Sequence, residues 1–232
     1  MYFIRTATAG CFLLLVLVGC GKKETPEYRL SAEQLAWQPY HVGDVLRFGQ
    51  ARSSKVRTFT IKAIDDRMVT LCNHCGGGIS LGPGSSSTLQ RIRVDVLRTD
   101  TVRYVRSASS TPARPDSIPL TQGDTLLEMG IDDNDGDSPV VAQARLYWDF
   151  GFYSYLPVQE AVAGKVLPDT MARVLPSFQV GGVAYGPVIQ VSNSRSTSVP
   201  LPRTKPLRRV YYAKGVGVVA FLEGGTLWYR LP

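Results

Sequence analysis

Apolar and polar side chains alternate one by one along much of this chain. Gln90–Val96 shows the pattern plainly, with Ile92, Val94 and Val96 on one face of an extended strand and Arg91, Arg93 and Asp95 on the other. The same period of two runs through Asp44–Phe48, Arg57–Ile64, Met68–Leu71, Thr101–Arg106, Thr125–Met129, Val140–Tyr155, Met171–Val180, Ala184–Val191, Arg209–Ala213, Val216–Leu222 and Thr226–Leu231. Each run is bounded by Gly, Pro, Asn, Asp or Ser, as strands are. One segment departs from it: Ser31 followed three residues later by Gln34 is a capping-box pattern, which predicts a helical turn over Ser31–Trp37 that ends at Pro39. Many of the connections are too short for a crossover helix, so neighbouring strands should pair antiparallel. The expected fold is all-β, a single antiparallel barrel-like or strongly curved sheet with one short N-terminal helix. Cys75–Thr88, Ser107–Gly123 and Ser192–Pro206 are rich in Gly, Ser or Pro and read as loops within one domain.

The first residues follow a different rule. After Arg5, an uninterrupted apolar run from Cys11 to Val18 covers 8 residues, well short of the about 20 that span a bilayer. That length fits the core of a signal peptide. The tetrad Leu17-Val18-Gly19-Cys20 resembles the lipobox of bacterial lipoproteins. The resemblance implies cleavage before Cys20, diacylglycerol on the Cys20 sulfur and, usually, acylation of the new amino group. Two or three acyl chains give stable anchorage where one is marginal. The chain then divides into a signal peptide at 1–19, a lipidated tether at 20–29 and a single β-rich domain at 30–232. Lys22 and Lys23 in the tether either meet anionic head groups, at about 1 kcal/mol each, or simply keep it soluble.

Composition narrows the classes. With 44% hydrophobic and 19% charged residues, 22 Gly and 15 Pro, the chain is too apolar for disorder and too rich in turn formers for a helical bundle. Its formal charge of +7 falls to +6 once residues 1–19 are removed with Arg5. Arg91, Arg93, Arg98, Arg103, Arg106 and Arg114 gather much of that charge around one hairpin and its loop. Such a face either contacts anionic lipid or a polyanion, or is the solvated outside of a sheet. Stacking aromatics are not interleaved with it, so nucleic acid is not an expected partner. In Tyr147–Tyr155, period two puts Trp148, Phe150 and Phe152 on one face and Tyr147, Tyr153 and Tyr155 on the other. The apolar rings suit a core, and the tyrosines a rim or ligand cleft. Tyr147, Tyr153, Tyr155, Arg91, Arg93 and Arg103 are therefore the candidate contacts for a ligand or anionic surface.

The apparent catalytic matches fail on context. Gly78-Ile79-Ser80-Leu81-Gly82 fits a nucleophile elbow, but Pro83-Gly84 replaces the required helix, and both histidines, His41 and His74, precede the serine. Gly215–Ala220 fits a dinucleotide fingerprint, yet only twelve residues follow it. Asp132–Asp137 resembles a calcium loop, but Ile131 and Ala142 occupy positions that need carboxylates, which leaves a solvated acidic turn. Cys72-Asn73-His74-Cys75 has three readings: a structural disulfide in an oxidising compartment, a redox-active pair, or half a zinc site. No catalytic residue, metal or cofactor is expected.

A second resemblance lies in the C-terminal third. Phe178-Gln-Val-Gly-Gly-Val-Ala-Tyr185-Gly-Pro-Val188, then Arg209-Val-Tyr211-Tyr212-Ala213-Lys214-Gly215-Val-Gly217 and a closing Trp228, resemble a pattern in exported Bacteroidetes lipoproteins. There a G-x-x-Y-x-x-V strand precedes YYAKGVGLV and a terminal hairpin. Those proteins are β-rich and mostly of unassigned function, so the likeness implies location and fold but no catalytic residue. Gly-Lys-Lys-Glu after Cys20 lacks the acidic cluster of surface-exported members, which implies the outer membrane facing the periplasm. The expected function is a lipid-anchored envelope protein, a non-catalytic binding or scaffolding module whose partner is an envelope protein or a hydrophobic ligand. The alternative is a thiol redox or thiol-dependent envelope enzyme using Cys72 and Cys75.

Overall fold

A chain dominated by period-two runs buries its apolar faces by curling one sheet on itself, and the computed structural model has that form: a large antiparallel half-barrel. It describes residues 25–73, 85–99, 103–105, 116–118, 124–132, 141–148, 152–165, 167, 171–192 and 207–232. In chain order the elements are β1 (Glu27–Tyr28), α1 (Ala32–Leu35), β2 (Val45–Gln50), β3 (Ser53–Asn73), β4 (Ser85–Arg98), β5 (Arg103–Val105) and β6 (Asp116–Ile118). Then follow β7 (Asp124–Asp132), β8 (Val141–Trp148), β9 (Phe152–Tyr155), α2 (Val158–Val162), β10 (Ala172–Leu175), β11 (Phe178–Val180) and β12 (Val183–Tyr185). The chain closes with β13 (Val188–Ser192), β14 (Leu207–Ala213), β15 (Gly217–Glu223) and β16 (Thr226–Arg230). The main sheet runs β10-β13-β14-β15-β16-β2-β3-β4-β7-β8-β9, with β1 added to β4 by a parallel pair. β5-β6 and β11-β12 form separate two-stranded sheets.

The all-β expectation holds, and several boundaries move. Arg57–Ile64 and Met68–Leu71 are not two strands but one, because the polar run Asp65-Asp66-Arg67 pairs with β4 through its backbone. A register shift between Ile61 and Ala63 bends this long strand. Val140–Tyr155 is a hairpin, not a single strand, closing at the Trp148–Phe152 pair. Met171–Val180 breaks after Leu175 at Pro176, which cannot donate to a ladder. The capping box forms as expected: Gln34 N donates to Ser31 Oγ at 3.2 Å, and Ser31 N donates to Gln34 Oε1 at 2.7 Å. A second helix, α2, was not foreseen; at 5 residues it is too short to carry a helical period.

The concave face is filled with side chains. Phe59 and Trp148 pack with ring centroids 4.6 Å apart, and Phe48 lies 5.4 Å from Trp148 and 5.3 Å from Phe221. β9 approaches β13 and α1 approaches α2, so the flanks of the half-barrel draw together over this core. The segment after α1 is pinned to the C-terminal strands: Tyr212 Oη donates to the Trp37 carbonyl at 2.7 Å, and Val218 N donates to Tyr40 Oη at 2.8 Å. Burial pushes the Tyr40 hydroxyl pKa up to about 12. Gly217, at φ +86°, turns the β14-β15 hairpin, and a Cβ there would overlap the Tyr40 hydroxyl. The glycines of the supposed dinucleotide fingerprint therefore serve a turn and a close contact.

A smaller core lies on the outer side of the sheet. Val188, Tyr211, Ala213, Val219 and Ala220 pack beneath the β11-β12 hairpin, where Phe178 stacks on Tyr211 at 4.2 Å with the rings 8° from parallel. At the edge of the main core, half-buried Arg57 and buried Glu223 form an ion pair at 2.5 Å, and the Arg57 guanidinium lies 4.1 Å from the Trp228 ring centre.

Candidate functional site

The outer face of β3-β4-β7-β8-β9 is where the register gathers functional side chains. Ile64, Val94, Leu127, Leu146 and Ser154 lie in one cross-strand row on the inside. The next row, one residue along each strand, is Asp65, Arg93, Glu128, Arg145 and Tyr155. It faces out because successive side chains point to opposite faces. Its signs alternate across four strands, so each charge stands beside an opposite one, the favourable arrangement for cross-strand neighbours. Two residues further along, Arg67 stands directly opposite Arg91, followed by Gly130 and Gln143.

These two rows frame a shallow depression of about 210 Å³. Four arginines and two carboxylates line it, namely Arg67, Arg91, Arg93, Arg145, Asp65 and Glu128, and Gly130 forms part of its floor. Arg67 Nε lies 3.3 Å from Asp65 Oδ2, and Arg93 Nε donates to Asp95 Oδ1 at 2.8 Å. The Asp95 bond raises the Arg93 pKa further above its ordinary value, so this guanidinium stays charged. Beside the depression Tyr147 Oη donates to Glu128 Oε2 at 3.0 Å, and its ring lies 5.2 Å from Tyr153. Partial burial, then the bond to Glu128, raises the Tyr147 pKa. Burial and the nearby Glu160 carboxylate raise that of Tyr155.

Arg91, Arg93, Tyr147, Tyr153 and Tyr155 therefore share one face of one sheet. Arg103 lies on β5, which pairs with β6 and not within the main sheet, and its side chain is outside the described residues. Arg106 and Arg114 are outside the described residues, as are Ser80, Asp133–Asp137, Cys20 and Cys75. Cys72 pairs with Ser86 through the β3 and β4 backbones, so it sits at a strand end and not at the start of a helix; its side chain is not described. Among the described residues no cluster of His, Cys, Asp or Glu could hold a metal.

Sequence reasoning missed Arg67, Gly130, Gln143 and Arg145. From sequence Gly130 reads as the end of the Thr125–Met129 run, whereas it lies inside β7, and a glycine inside a strand marks a close approach to the backbone. Comparison of the chain with known families, characterised proteins and solved structures gives no match.

Proposed function

We propose that this chain is a lipid-anchored protein of the bacterial envelope whose β domain binds an anionic partner without catalysing a reaction. The observation that carries the binding reading is the arginine-lined depression held on the outer face of four paired strands. A rigid sheet fixes these guanidinium groups in register, and binding sites gain affinity from such preorganisation. With the concave face packed by Trp148, Phe48, Phe59 and Phe221, the outer face is the better location for a ligand than an interior cavity. The lipobox supports anchorage through Cys20, and the Gly-Lys-Lys-Glu that follows supports the periplasmic side of the outer membrane.

Cys20→Ala, or globomycin treatment, is expected to abolish the acyl mass on the mature N-terminus; an unchanged mass spectrum would sink the anchoring claim. The binding claim is tested by retention of the detergent-solubilised full chain on a heparin matrix. Joint Arg91→Glu and Arg145→Glu substitutions should lower the eluting salt concentration clearly, and Arg173→Glu, at an exposed position of β10 that does not line the depression, should not. Equal elution of all three proteins would overturn it.

A further inference from the structure

We infer that the domain meets the membrane with one end of its β3-β4 hairpin, the end to which β1 is fastened, and that the partner of this surface is the head-group layer of the bilayer holding Cys20, an orientation that rests on the reading of Cys20 as the lipid anchor. Local pattern assigns 20–29 to a tether, but the chain is fastened to the sheet well before Leu30. Thr88 N donates to the Pro26 carbonyl at 2.8 Å, and Glu27 and Tyr28 pair with Thr88 and Leu89 of β4. Leu30 N donates to Gln90 Oε1 at 3.0 Å, and Gln90 Nε2 donates to Asp66 Oδ1 at 2.9 Å, so one side chain ties the incoming segment to both strands of the hairpin. Leu30 is buried, and Tyr28 packs against the main core. Two ladder residues alone hold little. Burial of Leu30 and the Gln90 bridge make the segment a strap on the domain.

The direction of the strap decides which end faces the lipid. β1 runs parallel to β4, so followed back toward the N-terminus it heads for the start of β4 and not for the middle of the sheet. Thr25 Oγ1 lies 3.3 Å from Ser86 Oγ, one residue from where β4 begins. An antiparallel β1 would have sent the tether the other way, toward Arg91. Length then sets the reach. Cys20 precedes Thr25 by five residues, which at about 3.3–3.6 Å each extend no further than roughly 18 Å. At the opposite end of β3 is the β2-β3 turn, where residues 51–55 are all exposed. From Thr70 back to Ser53 the strand measures roughly 50 Å at about 3.3 Å per residue. The anchor therefore keeps the strap end at the lipid surface in every pose, and nothing comparable keeps the turn there.

The surface at the strap end fits head groups and not acyl chains. Thr25, Thr70, Ser86 and Thr88 supply hydroxyls, with Thr70 Oγ1 and Thr88 Oγ1 3.1 Å apart. The exposed Glu27 and Arg29 pair with each other and add no net charge. A hydroxyl both donates and accepts, so this surface suits phosphate oxygens and head-group amines alike. Among the described residues the large exposed apolar side chains are Val42, Val45, Tyr155, Val162 and Val183, and none belongs to β1, β3 or β4. Insertion into hydrocarbon is left to the lipid on Cys20.

Head-group photo-cross-linking tests the orientation. The acylated full chain is reconstituted in phosphatidylcholine vesicles doped with a phospholipid that carries a diazirine on its head group, and adducts are mapped by mass spectrometry. Residues 25–28, 69–71 and 86–88 should carry a several-fold excess of adducts over residues 51–55. Inserting ten Gly and Ser residues after Lys23 adds roughly 35 Å of extended reach and should bring that ratio toward unity. Equal adducts at the two ends of the wild type, or an excess at residues 51–55, would overturn the inference. So would a ratio that the insertion leaves unchanged, because the strap would then not be what orients the domain. The acyl mass on the mature N-terminus separates the two failures. With that mass present, a failed ratio removes the orientation alone; with it absent, anchoring and orientation fall together.

Discussion

The outer side of the half-barrel comes in two halves that are treated in opposite ways. Over β13–β16 it is apolar, and the β11-β12 hairpin covers it. Over β3-β4-β7-β8 it is charged and open. The difference is visible in the strands themselves. β15 reads Gly-Val-Val-Ala-Phe-Leu-Glu and is buried at nearly every position, because both of its faces are packed. β4 alternates buried positions with exposed or half-exposed ones from Ile92 to Val96, because only one face is packed. A strand covered on both sides must be apolar throughout. One left open keeps every second position available for chemistry.

The sharpest way to break this comparison is to place the same charge in each half. Val188→Arg would bury an unpaired cation under the hairpin and should cost about 3–5 kcal/mol in urea unfolding. Thr70→Arg, on an exposed position of β3, should stay within about 0.5 kcal/mol. Similar costs at the two sites would show that the hairpin does not seal its half.

Phe178→Ala removes the ring stacked on Tyr211 and should cost about 2 kcal/mol. Hydrogen exchange should then quicken in β11 and β12 while β4 keeps its protection; uniform loss across the sheet would mean the two halves are not independent.

The smallest effect is expected from Glu128→Gln in the open half. Exposed charge rows contribute little, so stability should change by less than about 1 kcal/mol. Its visible consequence is on Tyr147, whose pKa should fall toward the ordinary tyrosine value once the carboxylate is gone, as read by ultraviolet titration. Tyr147 holds its proton more tightly folded than unfolded. Its linked stabilisation is therefore intact below the ordinary tyrosine value and is lost as pH rises from there through the raised folded value. Glu128→Gln should reduce that alkaline loss, and an unmoved Tyr147 titration would show that burial alone sets it.

Much of this was legible from local pattern. The inner row of Val94 and the outer row of Arg93 follow from alternation, and the helix cap follows from Ser31 and Gln34. Tyr147 and Tyr153 reached one face as expected, although through a hairpin and not along a single strand. Arg67, Gly130, Gln143 and Arg145 were not legible as a group, because they lie on three strands that only the register brings together.

By itself the sequence determined the all-β class, the sidedness of β4 and the short capped helix, because each depends on residues a few positions apart. Only the tertiary structure decided which strands became neighbours, that Arg91 stands between Arg67 and Gly130 in one cross-strand row, and that a hairpin covers one half of the sheet and leaves the other open. Sidedness is set by the two-residue repeat of the backbone. Register and coverage are set by pairings between segments tens of residues apart, where hydrogen bonding is the same for every side chain and only the packing of the whole sheet selects among them.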